Sequence, residues 1–362
     1  MRVHFVNENL GGHATLHLHL RRTLPVHTDI EASFFDVPGP TLLHRIARAP
    51  VPGLARLDLD LSPLRDQLVR SAVVERHLRH LAEPLDVLHL YTHNAGLLST
   101  ARLRRIPTVV SLDATDRQNG YHLPNRRPTR FTATSLRPTL ALERRVYAAA
   151  RAVVAHSAWA ADSVAGYGVD RDAIHVIPFG IPIGPRRPHR DDGGLPRIVY
   201  VGATMDRKGG WRLLDIWRRH LRTISRLLLV TRQPVASEPG LEVRNDIRTG
   251  DGQLEHLLAS SHVFAMPSEI DAFGFAPMEA MAAGLPVVAA RISAMPEIVE
   301  SGETGLLVPP GDDDAFAAAL ATLVADAGVR REMGRAARRR AEEHFDVVHT
   351  TAALAAVLRS VV

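Results

Sequence analysis

The stretch Pro267-Ser-Glu-Ile-Asp-Ala-Phe-Gly-Phe-Ala-Pro-Met-Glu-Ala-Met-Ala-Ala-Gly-Leu-Pro286 joins an apolar strand to a short helix. Pro277 fits the first helical position, where a missing N–H costs nothing. Gly284 fits a left-handed helix stop, and Pro286 prevents continuation. These signals predict a helix of about two turns that begins just beyond Phe273-Gly274-Phe275. The exposed N–H groups and the dipole of such a helix favour an anion, so the stretch predicts a phosphate site.

Two carboxylates flank this predicted helix terminus, Asp271 in the loop and Glu279 in the expected first turn. Carboxylates repel phosphate but accept hydrogen bonds from sugar hydroxyls, so the combination favours a nucleotide-sugar. Glu279 would hold a ribose and Asp271 the transferred sugar, while Gly274 would let a phosphate approach the backbone. The alternatives are structural. Glu279 would cap the helix, which Ala276 in place of Ser or Thr disfavours, and Asp271 would be an ordinary turn residue.

A second strand-to-helix loop carries the sequence Val201-Gly-Ala-Thr-Met-Asp-Arg-Lys-Gly-Gly210. It places Arg207 and Lys208 directly before a helix N-terminus, where cations oppose the dipole. A bound anion would explain both charges. We expect the apolar residues of the following helix to be core rather than ligand contacts: Trp211, Leu214, Trp217 and Leu221.

Short apolar strands alternate with helical patterns on both sides of these loops. Such a βαβα order predicts α/β units with parallel sheets and helices on both faces. In the first half the pattern predicts strands at 2–7, 86–90, 108–112, 152–156 and 174–177, with helices at 14–24, 140–151 and 159–166. In the second half it predicts strands at 197–201, 226–231, 263–266 and 287–290, with helices at 210–222, 277–283 and 312–326.

Proline and glycine cluster between the two halves, which is typical of a linker. We therefore predict an N-terminal domain over 1–180, a linker over 181–195 and a C-terminal nucleotide-sugar-binding domain over 196–345. A final helix over 346–362 would pack back on the N-terminal domain. Ligands bind at the carboxyl ends of strands in open α/β sheets, so two facing sheets place the site in an interdomain cleft.

The composition of the 362 residues narrows the possible classes of protein. With 46% apolar and 23% charged residues, the chain is an ordinary globular protein rather than a disordered one. The absence of cysteine excludes disulfides, thiolate zinc sites, cysteine nucleophiles and iron–sulfur clusters. Lys208 is the single lysine among 44 basic residues. It therefore stands where arginine will not serve, or its position is chance.

The net charge of +5 lies in the first half of the chain. Residues 102–151 hold 11 arginines against three acids, which favours an anionic partner such as phosphate or an anionic membrane. Solvated arginine faces are the equally weighted alternative. Nucleic acid is not expected, because aromatic residues are 5% and no stacking motif occurs. We expect a cytoplasmic protein, at most peripheral at a membrane, since no signal peptide and no apolar run of about 18 residues is visible.

These residues resemble glycosyltransferase family 4, the retaining glycosyltransferases with the GT-B fold of two Rossmann-like domains. The resemblance extends over almost the whole chain in matching order and spacing. Besides the two loops above, it rests on Gly11-Gly12, 155–159, 177–180, Pro296-Glu-Ile-Val299, Gly302-Glu-Thr-Gly-Leu-Leu-Val308 and Pro310-Gly-Asp312.

The resemblance implies a role for each matching residue. Lys208 would neutralise the donor pyrophosphate, and Glu279 would bind the ribose hydroxyls. Gly12, with Gly11, would bring the backbone of the first domain to the donor phosphate. The remaining donor-binding positions that it implies are Gly202, Asp271, Phe273, Gly274 and Phe275.

Three positions depart from the family pattern. Asp271 replaces the first of two glutamates, and Asp113 stands where a histidine often follows the strand at 108–112. Ala203 replaces an arginine that usually follows the Val-Gly pair, and Arg207 would compensate for it. We count Lys208, Asp271, Asp113 and Arg207 as candidate catalytic residues.

The implied reaction moves a sugar from a nucleoside diphosphate to an acceptor hydroxyl with retention of configuration. No cofactor beyond the donor is expected, and no metal, because Lys and Arg replace its charge. His13 and His17 share a helix face as in a metal site, but chance placement is favoured among 19 histidines. We expect His13 to face the cleft, and Arg126, Arg127 and Arg130 to border the entrance for an anionic acceptor.

Two other readings compete with a glycosyltransferase. One is a GT-B enzyme of another outcome, such as an epimerase or a phosphorylase. The other is a non-catalytic relative that binds nucleotide-sugar, which the departures at Ala203, Asp113 and Asp271 keep open.

Overall fold

The computed structural model describes residues 1–8, 13–81, 83–121, 128–185, 194–247 and 252–362. The chain divides into two compact units, Met1–Gly180 with Val348–Val362, and Ile181–Val347. No helix within the described residues combines the length and the apolar character needed to cross a bilayer.

The N-terminal unit contains one six-stranded sheet flanked by helices. Its strands are β1 Arg2–Asn7, β2 Glu31–Asp36, β3 Val87–Tyr91, β4 Thr108–Leu112, β5 Ala152–Ala155 and β6 Ile174–Val176. Its helices are α1 His13–Thr23, α2 Leu42–Arg48, α3 Ser62–Arg79, α4 Thr100–Leu103, α5 Asp116–Asn119, α6 Thr132–Tyr147 and α7 Ala158–Ala165. The strand order is β2-β1-β3-β4-β5-β6, and every pair is parallel. The direction in which successive strands are added to the sheet reverses between β1 and β3.

The C-terminal unit repeats this architecture. Its strands are β7 Arg197–Val201, β8 Arg226–Val230, β9 Leu241–Arg244, β10 Val263–Met266, β11 Val287–Ala290 and β12 Gly305–Val308. Its helices are α8 Gly210–Ile216, α9 Gln253–Ala259, α10 Phe275–Ala282, α11 Met295–Ile298, α12 Asp313–Ala325 and α13 Ala327–His344. The order β12-β11-β10-β7-β8-β9 is again fully parallel and reverses between β7 and β10.

Apolar strands explain where each core lies. Strands buried on both faces read as continuous apolar runs, and β3, β4 and β10 are buried at every position. Two doubly wound parallel sheets with helices confirm the predicted α/β class.

The last helix, α14 (Val347–Ser360), packs on the N-terminal unit. Thr351 Oγ1 lies 2.8 Å from Thr23 Oγ1 of α1. Arg359 binds both carboxylate oxygens of Asp29 at 2.8 Å. Polar contacts therefore hold the end of the chain against its beginning.

Several local predictions are wrong in detail. Helix α6 begins at Thr132 and runs through Pro138, whereas the sequence pattern started it at 140. The helix predicted over 210–222 ends as a π turn at Trp217–Leu221. Trp211, expected in the core, is 43% exposed, because it sits at the start of α8 on the side away from the sheet core.

Candidate functional site

The two loops singled out in the sequence follow neighbouring strands of the C-terminal sheet. Strands β7 and β10 pair in parallel, with Ile198 opposite Val263 and Val199 opposite Phe264. The order of the sheet reverses between them, so their carboxyl ends form the topological switch point where open α/β sheets bind ligands. The loops over 202–210 and 267–274 both leave from this point.

The two loops contact each other at the backbone of Gly209. Gly209 has a left-handed φ of +70°, and a Cβ built on it would lie 2.4 Å from the carbonyl oxygen of Pro267. No other residue type fits this contact without moving the chain. Gly209 therefore lets the neighbouring Lys208 lie next to the second loop.

Lys208 and Asp271 form the centre of the candidate site. The Lys208 ammonium nitrogen lies 3.3 Å from Asp271 Oδ2, and the side chains are 18% and 8% exposed. Asp271 Oδ2 and the Oγ of Ser268 are buried without a hydrogen-bond partner among the described residues. Asp271 Oδ2 is thus held by the Lys208 charge rather than by a hydrogen bond, and the buried Ser268 Oγ is a candidate partner for a ligand hydroxyl.

Helix α10 starts with Gly274 as its N-cap, at Phe275. The prediction that Pro277 opens the helix is wrong: Pro277 is the third residue, still within the turn whose N–H groups lack intrahelical acceptors. A Cβ on Gly274 would be 3.0 Å from the Pro277 ring and 3.4 Å from Asp271 Oδ2. The bare glycine thus brings the N-terminus of the helix next to the Asp271 carboxylate.

The helix stop is confirmed. Gly284 has a φ of +84°, its N–H bonds Met281 O at 2.9 Å, and the Leu285 N–H bonds Ala280 O at 3.0 Å. These are the two bonds of a Schellman motif.

Because α10 begins at Phe275, Glu279 lies in its second turn rather than in the predicted first turn. The position excludes a capping box, which requires the third helical residue. Burial and the nearby Glu255 carboxylate raise the pKa of Glu279 to about 7, although Lys208 acts in the opposite direction. Glu279 also lines a cavity of about 140 Å³ whose apolar wall includes Leu254 and Leu258. A half-buried acid beside an apolar cavity suits a ligand with a hydroxyl-bearing ring and a flat apolar ring.

The remaining residues of the 202–210 loop have separate roles. Arg207 is exposed and has no ion pair among the described residues, so its charge is available. Ala203 is exposed, and its carbonyl accepts from the Arg232 N–H at 3.3 Å. Packing explains the glycine at position 202, because a Cβ there would be 2.4 Å from the hydroxyl of buried Tyr200.

Sequence reasoning missed Gln233, which supports this loop. Its side-chain oxygen accepts from the Met205 N–H at 2.5 Å, and its nitrogen donates to Asp206 Oδ2 at 3.1 Å. Gln233 follows the carboxyl end of β8, the strand next to β7. Its position just after a buried strand is the sequence feature from which a role near the site could have been predicted.

The N-terminal unit contributes different groups at its own switch point. At the ends of β1 and β3, Thr92 Oγ1 donates to Glu8 Oε1 at 2.7 Å. Asp113, half-buried, follows β4 and lies close enough to Tyr91 for its charge to raise the tyrosine pKa, after burial as the main cause. Asp113 is therefore placed at the carboxyl end of its sheet, as a site residue should be.

Some predicted residues lie outside the described part. Gly11, Gly12, Arg126 and Arg127 are among them, and of His13 only the backbone, at the start of α1, is described. His17 pairs with Asp36, Nδ1 to Oδ1 at 2.8 Å. This pairing gives His17 a role within the fold. Arg130 is exposed, and its guanidinium lies 4.8 Å from the centre of the Phe131 ring.

A buried charge cluster next to Asp113 was also missed. His93 Nε2 lies 3.2 Å from Asp116 Oδ2 and 3.4 Å from Glu143 Oε1. Tyr147 donates to Glu143 Oε1 at 2.7 Å, and Gln67 donates to Asp116 at 3.0 Å. His93, Asp116 and Glu143 are 23 to 50 positions apart in sequence, so no local pattern reveals them.

The imidazole of His93 and the carboxylates of Asp116 and Glu143 lie close enough together to be metal ligands. Burial lowers the pKa of His93, but Glu143 and Asp116 outweigh it and raise the pKa to about 9. Tyr147 and Gln67 already donate hydrogen bonds to the two carboxylates, and both carboxylates also pair with His93. The cluster therefore acts as an ion-paired support beneath the loop that carries Asp113.

Two family models match the chain. The family described as "Glycosyltransferase Family 4" matches residues 11–184, and "Glycosyl transferases group 1" matches residues 195–326. The MMP alpha-(1->4)-mannosyltransferase of Mycolicibacterium hassiacum is 32% identical over 52% of this chain and 49% of its own length. The alpha-maltose-1-phosphate synthase of Mycolicibacterium smegmatis is 31% identical over 58% of this chain and 62% of its own. The matched stretches thus span only about half to three fifths of these relatives.

The fold has close structural counterparts. Anabaena HepE, solved in complex with UDP-glucose, superposes with a TM-score of 0.72 over 99% of this chain and all of its own, at 20% identity. That likeness bears on the fold alone. The two family matches show that this chain belongs to glycosyltransferase family 4, and its two doubly wound sheets together with the structural likeness show the GT-B fold.

Proposed function

We propose that the chain transfers a sugar from a nucleoside-diphosphate sugar to an acceptor hydroxyl, with retention of configuration. The observation that carries this proposal is the meeting of Lys208, Asp271 and the amide end of α10 at the β7/β10 switch point. A compact ammonium beside a helix N-terminus suits a pyrophosphate, and the neighbouring carboxylate suits a sugar hydroxyl.

Each residue has a defined part in the proposed step. The bond between the anomeric carbon and the β-phosphate oxygen breaks, and its electron pair goes to the nucleoside diphosphate. Lys208, Arg207 and the first N–H groups of α10 stabilise the charge that develops there. The acceptor oxygen bonds to the anomeric carbon on the same face, and its proton passes to the leaving phosphate. Asp271 holds the sugar and Glu279 the ribose, with the nucleoside directed toward the cavity beside Glu279.

From the family resemblance, Asp113 would contact the transferred sugar, and the backbone of Gly11 and Gly12 would approach the donor phosphate. The proposed reaction needs no metal, because fixed cations face the leaving group. Turnover should therefore survive EDTA. A loss of turnover that Mg²⁺ or Mn²⁺ restores would contradict this part.

We also infer an anionic acceptor, bound by Arg126, Arg127 and Arg130. Exposed Arg130 and the excess of arginine over 102–151 support it. A phosphate occurs in the name of one relative's product, alpha-maltose-1-phosphate. Neutralising the three arginines to Gln should raise the acceptor KM with little effect on donor affinity, and an unchanged KM would refute the assignment. A cytoplasmic location with peripheral membrane contact stays a prediction.

The transfer proposal is tested by incubating the protein with UDP-, GDP- and ADP-sugars, with and without acceptor extracts, and measuring nucleotide release. Release that depends on the acceptor, with an α-linked product from an α-linked donor, is the expected result. Tight donor binding without release from any donor would favour the non-catalytic reading. Altered free donor or phosphate-dependent cleavage would favour an epimerase or a phosphorylase.

A further inference from the structure

The N-terminal unit exposes an unusual number of large apolar side chains in one short segment. Fifteen large apolar residues are exposed within the described residues, and six of them fall between positions 42 and 57: Leu42, Leu43, Ile46, Val51, Leu54 and Leu57. Single exposed apolar residues are normal in soluble proteins, but a concentration of this kind marks an interaction surface.

Helix α2 (Leu42–Arg48) shows that this exposure follows from the fold. Leu42, Leu43 and Ile46 are 69%, 58% and 59% exposed and share one side of the helix. The opposite side carries His44 and Ala47, which are buried. The helix therefore packs through one narrow face and turns its most apolar face to the outside.

The charge of the same segment is entirely positive. Residues 38–57 contain three arginines and no acid. Arg48 is engaged by Asp66 at 2.9 Å. Arg45 and Arg56 are exposed and make no ion pair with any residue that the structure describes. The apolar face is thus flanked by two cations that the fold itself does not use.

This segment is continuous with the basic loop identified in the sequence. Thr129 Oγ1 donates to the Leu57 carbonyl at 2.8 Å, and Thr132 donates to the Asp58 carboxylate. Exposed Arg130 lies between these two anchor residues. Arg130 consequently lies beside the Leu57 end of the apolar segment and adds to its positive charge.

We propose that this area, defined by α2 and residues 51–57, docks the protein on an anionic lipid surface. Leucine and isoleucine side chains would enter the boundary between headgroups and acyl chains, and the arginines would contact lipid phosphates. Charge selects this occupant: an apolar face flanked by free arginines complements anionic headgroups, whereas a second copy of the chain would bring the same positive charge against it. The inference rests on the proposed peripheral membrane contact and names its surface.

The test is co-sedimentation of the full chain with vesicles of phosphatidylcholine, with and without phosphatidylglycerol. The wild-type protein should bind only the anionic vesicles. The triple variant L42Q/L43Q/I46Q should bind at least ten-fold more weakly. The double variant R45Q/R56Q should lose about five-fold per arginine at low ionic strength. The matched control R222Q/I224Q changes an exposed arginine and an exposed apolar residue in the other unit and should bind as the wild type does.

The outcomes separate the two levels of the proposal. Failure of the wild type to bind anionic vesicles would overturn membrane contact altogether. Wild-type binding that both variants retain would overturn this surface while leaving membrane contact standing. A dimer in solution that L42Q/L43Q/I46Q converts to monomer would assign the face to a second copy. Circular dichroism melts confirm that the variants are folded, and the assay needs no sugar transfer.

Discussion

The topological switch points of the two sheets differ in how their charged side chains are paired. In the C-terminal unit, Lys208 Nζ lies 3.3 Å from Asp271 Oδ2, and that same oxygen accepts no hydrogen bond from any described residue. In the N-terminal unit, His93 lies between two carboxylates that also receive hydrogen bonds from Tyr147 and Gln67. The first arrangement leaves room for a ligand and the second is complete. A similar strand order thus supports an ion pair with few hydrogen bonds in one unit and, beside Asp113, a hydrogen-bonded charge cluster in the other.

The largest expected effect tests whether the N-terminal cluster is structural. Removing one member of a buried ion pair costs about 3–5 kcal/mol, so His93→Gln should lower the Tm of the N-terminal unit by about 10 °C. His80→Gln, an exposed histidine at the end of α3, is the control. Thermal melts by circular dichroism measure both. A His93 variant as stable as the control would remove the distinction between the two regions.

The same cluster predicts a pH dependence of stability. The pKa of His93 is raised from 6.5 to about 9 on folding. Its contribution is therefore complete below pH 6.5 and is lost as the pH rises through 9. The difference in stability between wild type and His93→Gln should shrink over that interval. A difference that stays constant from pH 6 to pH 10 would contradict a raised pKa of His93 in the folded protein.

The next effect concerns catalysis at the C-terminal switch point. Lys208→Ala should lower turnover by about 100-fold, because one fixed donor to a developing charge contributes about that much. Lys208→Arg should recover only part of it, since a planar guanidinium does not replace a compact ammonium. Nucleotide release under donor saturation gives the comparison. Full activity of Lys208→Ala would refute the assignment.

A ten-fold effect is expected from the ionisation of Glu279. The pKa of its carboxyl group in the free protein is about 7, and the ionised form accepts the ribose hydrogen bonds. Donor affinity should therefore fall by about ten-fold between pH 8 and pH 6, since one pKa unit corresponds to a factor of ten. Glu279→Gln should bind more weakly and lose the pH dependence. Calorimetric titration at several pH values distinguishes the two proteins.

The smallest effect is expected at Arg207. Its side chain is exposed, so water screens its charge. Arg207→Gln should lower turnover by only about three-fold to five-fold, well short of the Lys208→Ala effect. If Arg207 fully replaces the family arginine missing at Ala203, the loss would instead match that of Lys208→Ala.

The sequence predicted the parts of this comparison that depend on local chemistry. Buried strands such as β4 are visible in the sequence as apolar runs. Gly284 marks the end of α10, because a residue in the left-handed conformation is needed to complete its Schellman motif. The edge strand β2 was missed because it is half-exposed and has no clear apolar run. Pro277 was misplaced because proline is tolerated throughout the first turn, not only at its first position.

The N-terminal cluster could not have been predicted in this way. Its acids and His93 meet only after β3, β4 and α6 have assembled, and the charge of His93 depends on that burial. Lys208 was identifiable because a rare residue type stood beside glycines at the end of a strand. Ligand-binding loops are short and local, whereas their supports are distributed over the chain.

The central claim is that Lys208 holds the diphosphate and Glu279 the ribose. It is tested most directly by calorimetric titration of wild type, Lys208→Ala and Glu279→Gln with uridine, guanosine and adenosine and with the corresponding diphosphates. For the base that binds, Lys208→Ala should lose at least ten-fold in affinity for the diphosphate and nothing for the nucleoside, as expected of a contact to phosphate alone. Glu279→Gln should weaken both ligands by the same factor. Equal diphosphate affinity in wild type and Lys208→Ala would contradict the account.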